Sequence, residues 1–399
     1  MNPSKAAENP DCAPMASHVK ANPLHNFLTQ LIVSGNLSLV CVIQQATVDM
    51  TDFVKTLLKK KLINNFDVVL SKVEVNPDNK YAVRALLETA YVDPSTDNNY
   101  AIRWAARLGF ADIVARLLRE MLVDPGANKN YAVRWAAQNG WVEVVRLLLA
   151  DKRVNPGDVT QTAIGVAARG GYVEVVKLLL ADNRVDPGAD KDYAIRFAAK
   201  KGHVEAVKTL ISDNRVDPSA LDNYAIRFAA KKGHVAAVKL LLKDKRVDPS
   251  DLNNAALIGA AAGGHVKVVK LLISDKRVDP GAADNWAIRR AAQNGHVEVV
   301  KILLADNRVD PIDHDNSALQ DAVEQDNPEV VKVILADKRV LSACNIRDVL
   351  AAAKAHGAVD VVEYIVEYVT AHRPAPAKEP PLTVTLPRGV TSLVLTFDR

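Results

Sequence analysis

Four histidines, His203, His234, His265 and His296, follow one another at a step of 31 residues, and a histidine repeated at one spacing is a candidate zinc ligand. Seven aspartates keep the same register, each directly before a proline: Asp93, Asp124, Asp186, Asp217, Asp248, Asp279 and Asp310. Carboxylates so placed could serve acid–base chemistry. Arg103, Arg134, Arg196, Arg227 and Arg289 could read phosphates, and the rings that directly follow four of them, Trp104, Trp135, Phe197 and Phe228, could stack on bases. Which of these chemistries is open to the chain depends on the elements that carry the residues.

Those elements are set by the period. Pro94, Pro125, Pro156, Pro187, Pro218, Pro249, Pro280 and Pro311 are each 31 residues from the next. Glycine keeps the same step at Gly109, Gly140, Gly171, Gly202, Gly233, Gly264 and Gly295, skips one unit at Asp326 and returns at Gly357. The stretch DYAIRFAAKKGHV at 192–204 recurs at 223–235 with a single change, Asp to Asn. Two independent markers in one register define stacked copies of a small unit.

Each unit parses into two short helices and a loop. A polar side chain able to cap the first helix precedes it at Asn99, Asn130, Asp192, Asn223, Asn254, Asn285 and Asn316, with Gln161 as the exception. The register glycine can take the left-handed conformation that ends this helix. The second helix, VEVVKLLLAD at 173–182, places Val173, Val176, Leu179 and Leu180 on one apolar stripe, with Glu174 and Lys177 on the wetter flank. RVDP then ends the unit, because proline cannot continue a helix and pushes its predecessor to extended geometry. Helices of about nine residues are unstable alone, so each must bury its stripe on a neighbouring pair.

The segment YAIRFAAKKGHVEAVKTLI at 193–211 resembles, slot for slot, the ankyrin-repeat pattern TPLHxAAxxGHxxVVxLLL. The resemblance covers Asp93 to about Thr370, as eight repeats over 93–340 and a degenerate capping repeat over 341–370. Two features depart from the pattern. Thr-Pro-Leu-His becomes Tyr-Ala-Ile-Arg, and the unit is 31 residues against about 33 in the common repeat, the shortfall lying in the loop, which should leave a stubbier finger between units. The style is similar to ankyrin arrays common in large DNA viruses and protists. The resemblance implies an all-α solenoid of stacked helix-turn-helix units that binds a protein on its concave surface without catalysis. In the family, partners are met by the two residues before each glycine and by the loop tips. That places partner binding on Arg107, Gln138, Arg169, Lys200, Lys201, Lys231, Lys232, Gln293 and Asn294. These slots vary within an otherwise repeated template, as a recognition surface would, although relaxed constraint on a solvated face would leave the same pattern.

Stacking in layers restricts what the repeated histidines, aspartates and arginines can do. Neighbouring layers of packed helices lie about 10 Å apart, too far for two histidines to share a zinc at about 2 Å. Phe110, Trp141 and Tyr172 hold the same slot in other units, so it calls for a flat ring. Turn chemistry explains the aspartates better than acid–base work. The arginines occupy the slot whose residue, in the family, ties one turn to the next, so they should bond loop carbonyls or an aspartate across the layer. The rings after them should pack between layers. Nothing resembling a nucleophile elbow, P-loop, dinucleotide glycine motif or HExxH occurs, so neither enzyme activity nor a cofactor or metal is expected.

Bulk properties and the two ends complete the expectations. A net charge of +4 over 399 residues does not by itself identify a nucleic-acid binder. Cys12, Cys41 and Cys344 are far apart and odd in number, which fits a reducing compartment. Residues 1–22 are expected to be disordered and, lacking an apolar h-region, to carry no secretory signal. Residues 23–92 read as a helical cap with a degenerate repeat, and the apolar patches of 27–46 are interrupted by Gln30, Ser34 and Asn36, which argues against a membrane span. Residues 371–381 read as a proline-rich linker, and 382–399 as a short β-hairpin about Pro387-Arg388-Gly389. That tail resembles the opening LPxxVTSLxL of FNIP repeats, a leucine-rich-like module. The expected function is a monomeric, cytoplasmic (or, if viral, host cytoplasmic or nuclear) protein-binding scaffold whose partner has an acidic surface. The alternatives are nucleic-acid or anionic-headgroup binding through the basic slots, and a ubiquitin-ligase substrate adaptor, against which the absence of an LPxE segment in 1–72 counts.

Overall fold

The computed structural model describes residues 95–157 and 162–371 together with the strands Leu382–Val384 and Leu393–Leu395. The expectations for 1–22, 23–92, the 372–381 linker and the Pro-Arg-Gly turn lie outside the described residues, as do Asp93 and Pro94. The chain divides into two compact units, Met1–Asp190 and Lys191–Arg399.

In the first unit α1 (Thr96–Leu108), α3 (Ala127–Gln138) and α5 (Ala163–Gly170) pack in one row, and α2 (Ala111–Leu117), α4 (Val142–Ala150) and α6 (Val173–Leu180) in another. The helix α7 (Ala189–Lys201) begins at the boundary. In the second unit one row runs through α9 (Ala220–Lys231), α11 (Asp251–Ala262), α13 (Ala282–Gln293), α15 (Asp313–Glu324) and α18 (Ile346–His356). The other runs through α8 (Val204–Ile211), α10 (Val235–Leu241), α12 (Val266–Ile273), α14 (Val297–Leu304), α16 (Pro328–Leu335) and α19 (Val359–Ala371), with α17 (Lys338–Ala343) after α16. The strands β1 (Leu382–Val384) and β2 (Leu393–Leu395) pair antiparallel, Leu382 opposite Leu395.

Each helix pair buries its apolar face in the row. Ile195, Leu210 and Ile226 are fully buried, and paired alanines such as Ala229 and Ala230 are as well, which lets neighbouring layers approach closely. Each buried Leu or Ile contributes about 2 kcal/mol relative to exposure. The stripe of the second helix is rotated from the expected one. Val175, Val176 and Leu179 are buried in α6, whereas Val173 and Leu180 at its ends are half-buried. A helix of eight residues wedged between two neighbours buries its middle and leaves its ends open. Glu174 and Lys177 pair at 2.7 Å on the exposed flank.

The register glycines end the first helices as expected, with φ between +68° and +81°. Asp326 takes the same region at φ +53° and turns its carboxylate to use, accepting from the N–H groups of Asp360 and Val361.

The expected caps do something else. Asn223 does not accept from the first N–H groups of its own helix; its Oδ1 accepts from the backbone N–H of Asp248, 25 residues on, at 2.8 Å. Asn99, Asn130, Asp192, Asn254 and Asn285 do the same for Asp124, Asn155, Asp217, Asp279 and Asp310. The reason is backbone conformation. Leu221, Asp222 and Asn223 all lie in the left-handed region, φ +55° to +56°, which aims the Asn223 side chain at the next layer. Where Gln161 stands in the register, Thr162 is the cap, accepting from Gly165 N–H at 3.2 Å.

Left-handed geometry costs about 1–2 kcal/mol per non-glycine residue, and the repeated arginine offsets it. Arg227 donates Nε to Asp222 O at 2.6 Å and Nη2 to Leu221 O at 2.9 Å. Arg103, Arg134 and Arg196 hold Asn98 O, Lys129 O and Lys191 O, and Arg289 meets Asp321 of the next layer at 2.9 Å. Both expected partners, loop carbonyl and aspartate, are therefore used. The aspartates before proline are turn formers: Asp248 Oδ1 accepts from Ser250 N–H and Oγ–H.

A second arginine ladder escaped the sequence reading. Arg246 grips Asp244 through Nε and Nη2 while Nη1 donates to Val216 O at 2.7 Å and Nη2 to Ile211 O at 3.1 Å. Arg153, Arg184, Arg277, Arg308 and Arg339 repeat the grip on the preceding layer. The signal was present as Asp-x-Arg-Val before the register prolines from Pro156 to Pro311, and again at 337–340.

Two outcomes follow. In α11, Ala255, Ile258 and Gly259 stand where α9 has Tyr224, Arg227 and Phe228, so the left-handed turn Leu252–Asn254 has isoleucine in its arginine slot. Lost side-chain volume and the added glycine each cost on the order of 1 kcal/mol. Amide exchange should therefore be faster at 255–264 than at 224–233, and equal protection would refute the weak layer. The second outcome concerns acid. Bonding to Arg246 holds the Asp244 carboxyl below the ordinary value near 3.8, as the corresponding arginines do for Asp151, Asp182, Asp213, Asp275, Asp306 and Asp337. A pKa lowered on folding stabilises above the unfolded value and is lost as pH falls through the folded one. Urea midpoints should hold from pH 7 to about 5 and drop below about pH 4, and Asp244→Asn should shrink that drop.

Candidate functional site

The residues before each glycine lie in the last turn of the first helices, so the row of first helices presents them on one face within each unit. The aromatic rings come first in building this face. Tyr193 and Phe197 stack at 4.0 Å between centroids, Tyr224 and Phe228 at 3.9 Å, and Phe197 lies 6.2 Å from Tyr224 of the next layer. These rings occupy one another, so they serve as interlayer packing.

Cations cover the rings. The Lys200 ammonium sits 4.9 Å from the Phe228 centroid and 5.3 Å from that of Phe197, and donates to Tyr224 Oη at 3.2 Å. The Arg107 guanidinium lies between Trp104 at 4.6 Å and Trp135 at 4.4 Å. The first pre-glycine slot thus has a packing task in these two units, which the sequence reading had not assigned.

The remaining slots divide by whether their side chains are already engaged. Lys201, Lys231 and Lys232 are exposed and pair with no carboxylate among the described residues. Gln138 and Arg169 are exposed. Gln293 Oε1 accepts from Arg290 Nη1, and Asn294 Nδ2 donates to Arg290 O at 2.8 Å, so both are tied to the end of their own helix.

The ring slot after the glycine closes the helix ends of the preceding layer. His234 Nε2 lies 3.1 Å from Lys200 O, His265 Nε2 3.0 Å from Lys231 O, and His296 Nε2 3.0 Å from Ala262 O. Trp141 Nε1 donates to Arg107 O at 3.0 Å, and Asn327 Nδ2 to Ala292 O at 3.1 Å. A carbonyl oxygen can only accept, so Nε2 of His265 is the donor in this bond, and its Nδ1 faces Gly233. A Cβ at Gly233 would stand 2.6 Å from that nitrogen. Among the described residues these histidines do not converge on a common ligand position. Only Asp284, Asp313 and His314 there bring ligand atoms within 4.8 Å of one another. In that trio His314 Nδ1 lies 2.8 Å from Asp313 Oδ1, and its Nε2 3.8 Å from Asp284 Oδ2. Among the described residues no helix is long and apolar enough to cross a membrane.

Lys200 and Lys201 are adjacent yet differ in task, and this is measurable. Lys200→Ala should lower unfolding free energy by about 0.5–2 kcal/mol through the lost ring and hydroxyl contacts, and Lys201→Ala by less than about 0.5 kcal/mol. Equal effects in chemical denaturation would remove the packing role of Lys200.

No curated protein matches the chain. The family model described as ankyrin repeats (3 copies) matches residues 102–194, 195–284 and 283–348, together more than half of the chain. With its helix pairs stacked layer on layer, its glycine-ended first helices and this match, the chain belongs to the ankyrin-repeat family.

Proposed function

We propose that the chain is a non-catalytic binding protein that receives an acidic protein surface on the face of its first helices, the concave side of the stack. Ankyrin repeats are in general protein–protein interaction modules. The observation that carries the reading further is the set Lys201, Lys231 and Lys232. These side chains are exposed, stand in the last turns of α7 and just before the register glycine after α9, and have no carboxylate partner among the described residues. Like charges gathered on one face repel, and no contact in the packing calls for these three. Within the second unit Lys200, Gln293 and Asn294 occupy the neighbouring slots, Lys200 being set by the rings beneath it, and Arg107, Gln138 and Arg169 hold the corresponding slots of the first unit, where Arg107 is likewise set between two rings. An acidic partner would be steered and oriented by this charge, with the remaining affinity coming from apolar contact.

The test uses a partner captured from the native cell and identified before measurement. The triple variant Lys201→Glu, Lys231→Glu, Lys232→Glu should melt within a few degrees of the parent, because exposed substitutions move stability by less than about 0.5 kcal/mol each. Its affinity for the partner should fall about tenfold or more at low salt, and less at high salt. Unchanged affinity in the folded variant would move the site to the loop tips or the C-terminal strands. A nucleic acid as the captured species, with a steep linear dependence of log affinity on log salt, would replace the protein-binding reading by the polyanion one.

A further inference from the structure

The unit that breaks the repeat leaves an opening in this face. Ala255 and Gly259 stand where the preceding unit has the stacked pair Tyr224 and Phe228, and the missing rings leave a groove of about 740 Å³. Its walls are apolar and large. Phe228 closes one side, Trp286 the other, and Ile258 and Leu252 lie between them. Trp286 is 38% exposed and Leu252 51%, against 39% for Leu221 in the same slot of the preceding unit, so the apolar lining of the groove is open to solvent. A concave, mostly apolar recess with a few polar groups at its edge is the form a side-chain pocket takes.

The rim has one sign of charge. Arg227, Lys231 and Arg290 line the groove, and no carboxylate does. Both guanidinium groups are held in place from within: Arg227 by the carbonyls of Leu221 and Asp222, Arg290 by Gln293 Oε1. None of the three pairs with a carboxylate among the described residues. Donors fixed in this way lose little freedom on meeting a carboxylate, which is what preorganised recognition requires.

We infer that this groove is an anchor pocket for a linear acidic segment of the partner, taking one aromatic side chain between Phe228 and Trp286 while flanking carboxylates meet Arg227, Lys231 and Arg290. The pocket is the mould of a ring pair that the chain builds in its neighbouring unit, which selects an aromatic side chain over a small one, and its charge selects acidic flanks. The inference rests on the reading of the first-helix face as the binding face. It adds the chemistry of the bound segment.

Three fluorescein-labelled twelve-residue peptides test it by anisotropy at low salt on the full chain: glutamate-rich with a central phenylalanine, the same with a central alanine, and lysine-rich with the phenylalanine. The acidic phenylalanine peptide should bind about tenfold tighter than either other peptide, a difference on the scale of one buried aromatic anchor. The double variant Ala255→Tyr, Gly259→Phe restores the residues of the adjacent unit, so it should melt at a higher temperature and lose about tenfold in affinity. Trp286→Ala, which deletes one wall, should give a comparable loss. Equal binding of the phenylalanine and alanine peptides, or undiminished binding by the filled variant, overturns the pocket. If that equal binding vanishes in the Lys201→Glu, Lys231→Glu, Lys232→Glu variant, the pocket fails and the face reading stands; if it persists there, both fail.

Discussion

The structure depends on side chains of one layer satisfying the backbone of another. A pair of helices between seven and thirteen residues long leaves a large share of its N–H and C=O groups without intrahelical partners. Three repeated side chains answer this need. The asparagine before the first helix takes an N–H of the following turn, the arginine after the second helix takes two carbonyls of the preceding layer, and the ring after the glycine takes a carbonyl at a helix end. Each bond spans 25 to 35 residues of sequence, so a layer is completed only by its neighbour. The near-identity of successive units follows directly, since every unit must present the same donors and acceptors at the same heights.

This constraint sorts the polar side chains. Asparagine, the two arginine ladders and the ring slot all bond the backbone of the stack, which is why histidines at a regular step are helix-end donors and why the arginines are anchored on loop and helix-end carbonyls. Some of the slots before the glycines escape the constraint: the backbone carbonyl of Lys231 is used by His265, while the side chains of Lys201, Lys231 and Lys232 meet no carboxylate among the described residues. There the sequence varies, and there the unpaired lysines gather. Where a cation in this row does have a packing task, as with Lys200 and Arg107, it covers rings that hold two layers together.

Irregularity has the same origin in two places. In α11 the loss of the ring pair and its arginine weakens a layer and opens an apolar groove in one step, because the atoms that would have stabilised the stack are those that would have filled the face. Near the end of the array, Leu341 and Ser342 replace the Asp-Pro of the turn, and 338–343 becomes a helix. The N–H of Leu341 then bonds Asp337 O, and Asn316 Oδ1 is left buried with no partner. One substitution pattern in the turn thus removes the acceptor's purpose a layer away.

Period, helix content and the positions where helices end were legible in the sequence by itself, because they follow from local rules: proline cannot continue a helix, and glycine accepts a left-handed residue without strain. The turn role of Asp248 was legible for the same reason, whereas the carbonyl partners of Arg227 were expected, beside an aspartate, only from the resemblance to the ankyrin pattern. What only the tertiary structure decided is where the long-range side chains go. Asn223 reads as a helix cap from its neighbours in sequence, yet three left-handed residues redirect it to Asp248. Arg246 carries no local signal of a partner, and only the stacked layers show it holding two carbonyls of the layer before. Val175, and not Val173, faces the core because the neighbours on either side, not the helix's own period, set which of its ends is covered. Lys200 and Lys201 are indistinguishable as letters, and only the position of the next layer's rings makes one a packing residue and leaves the other in solvent.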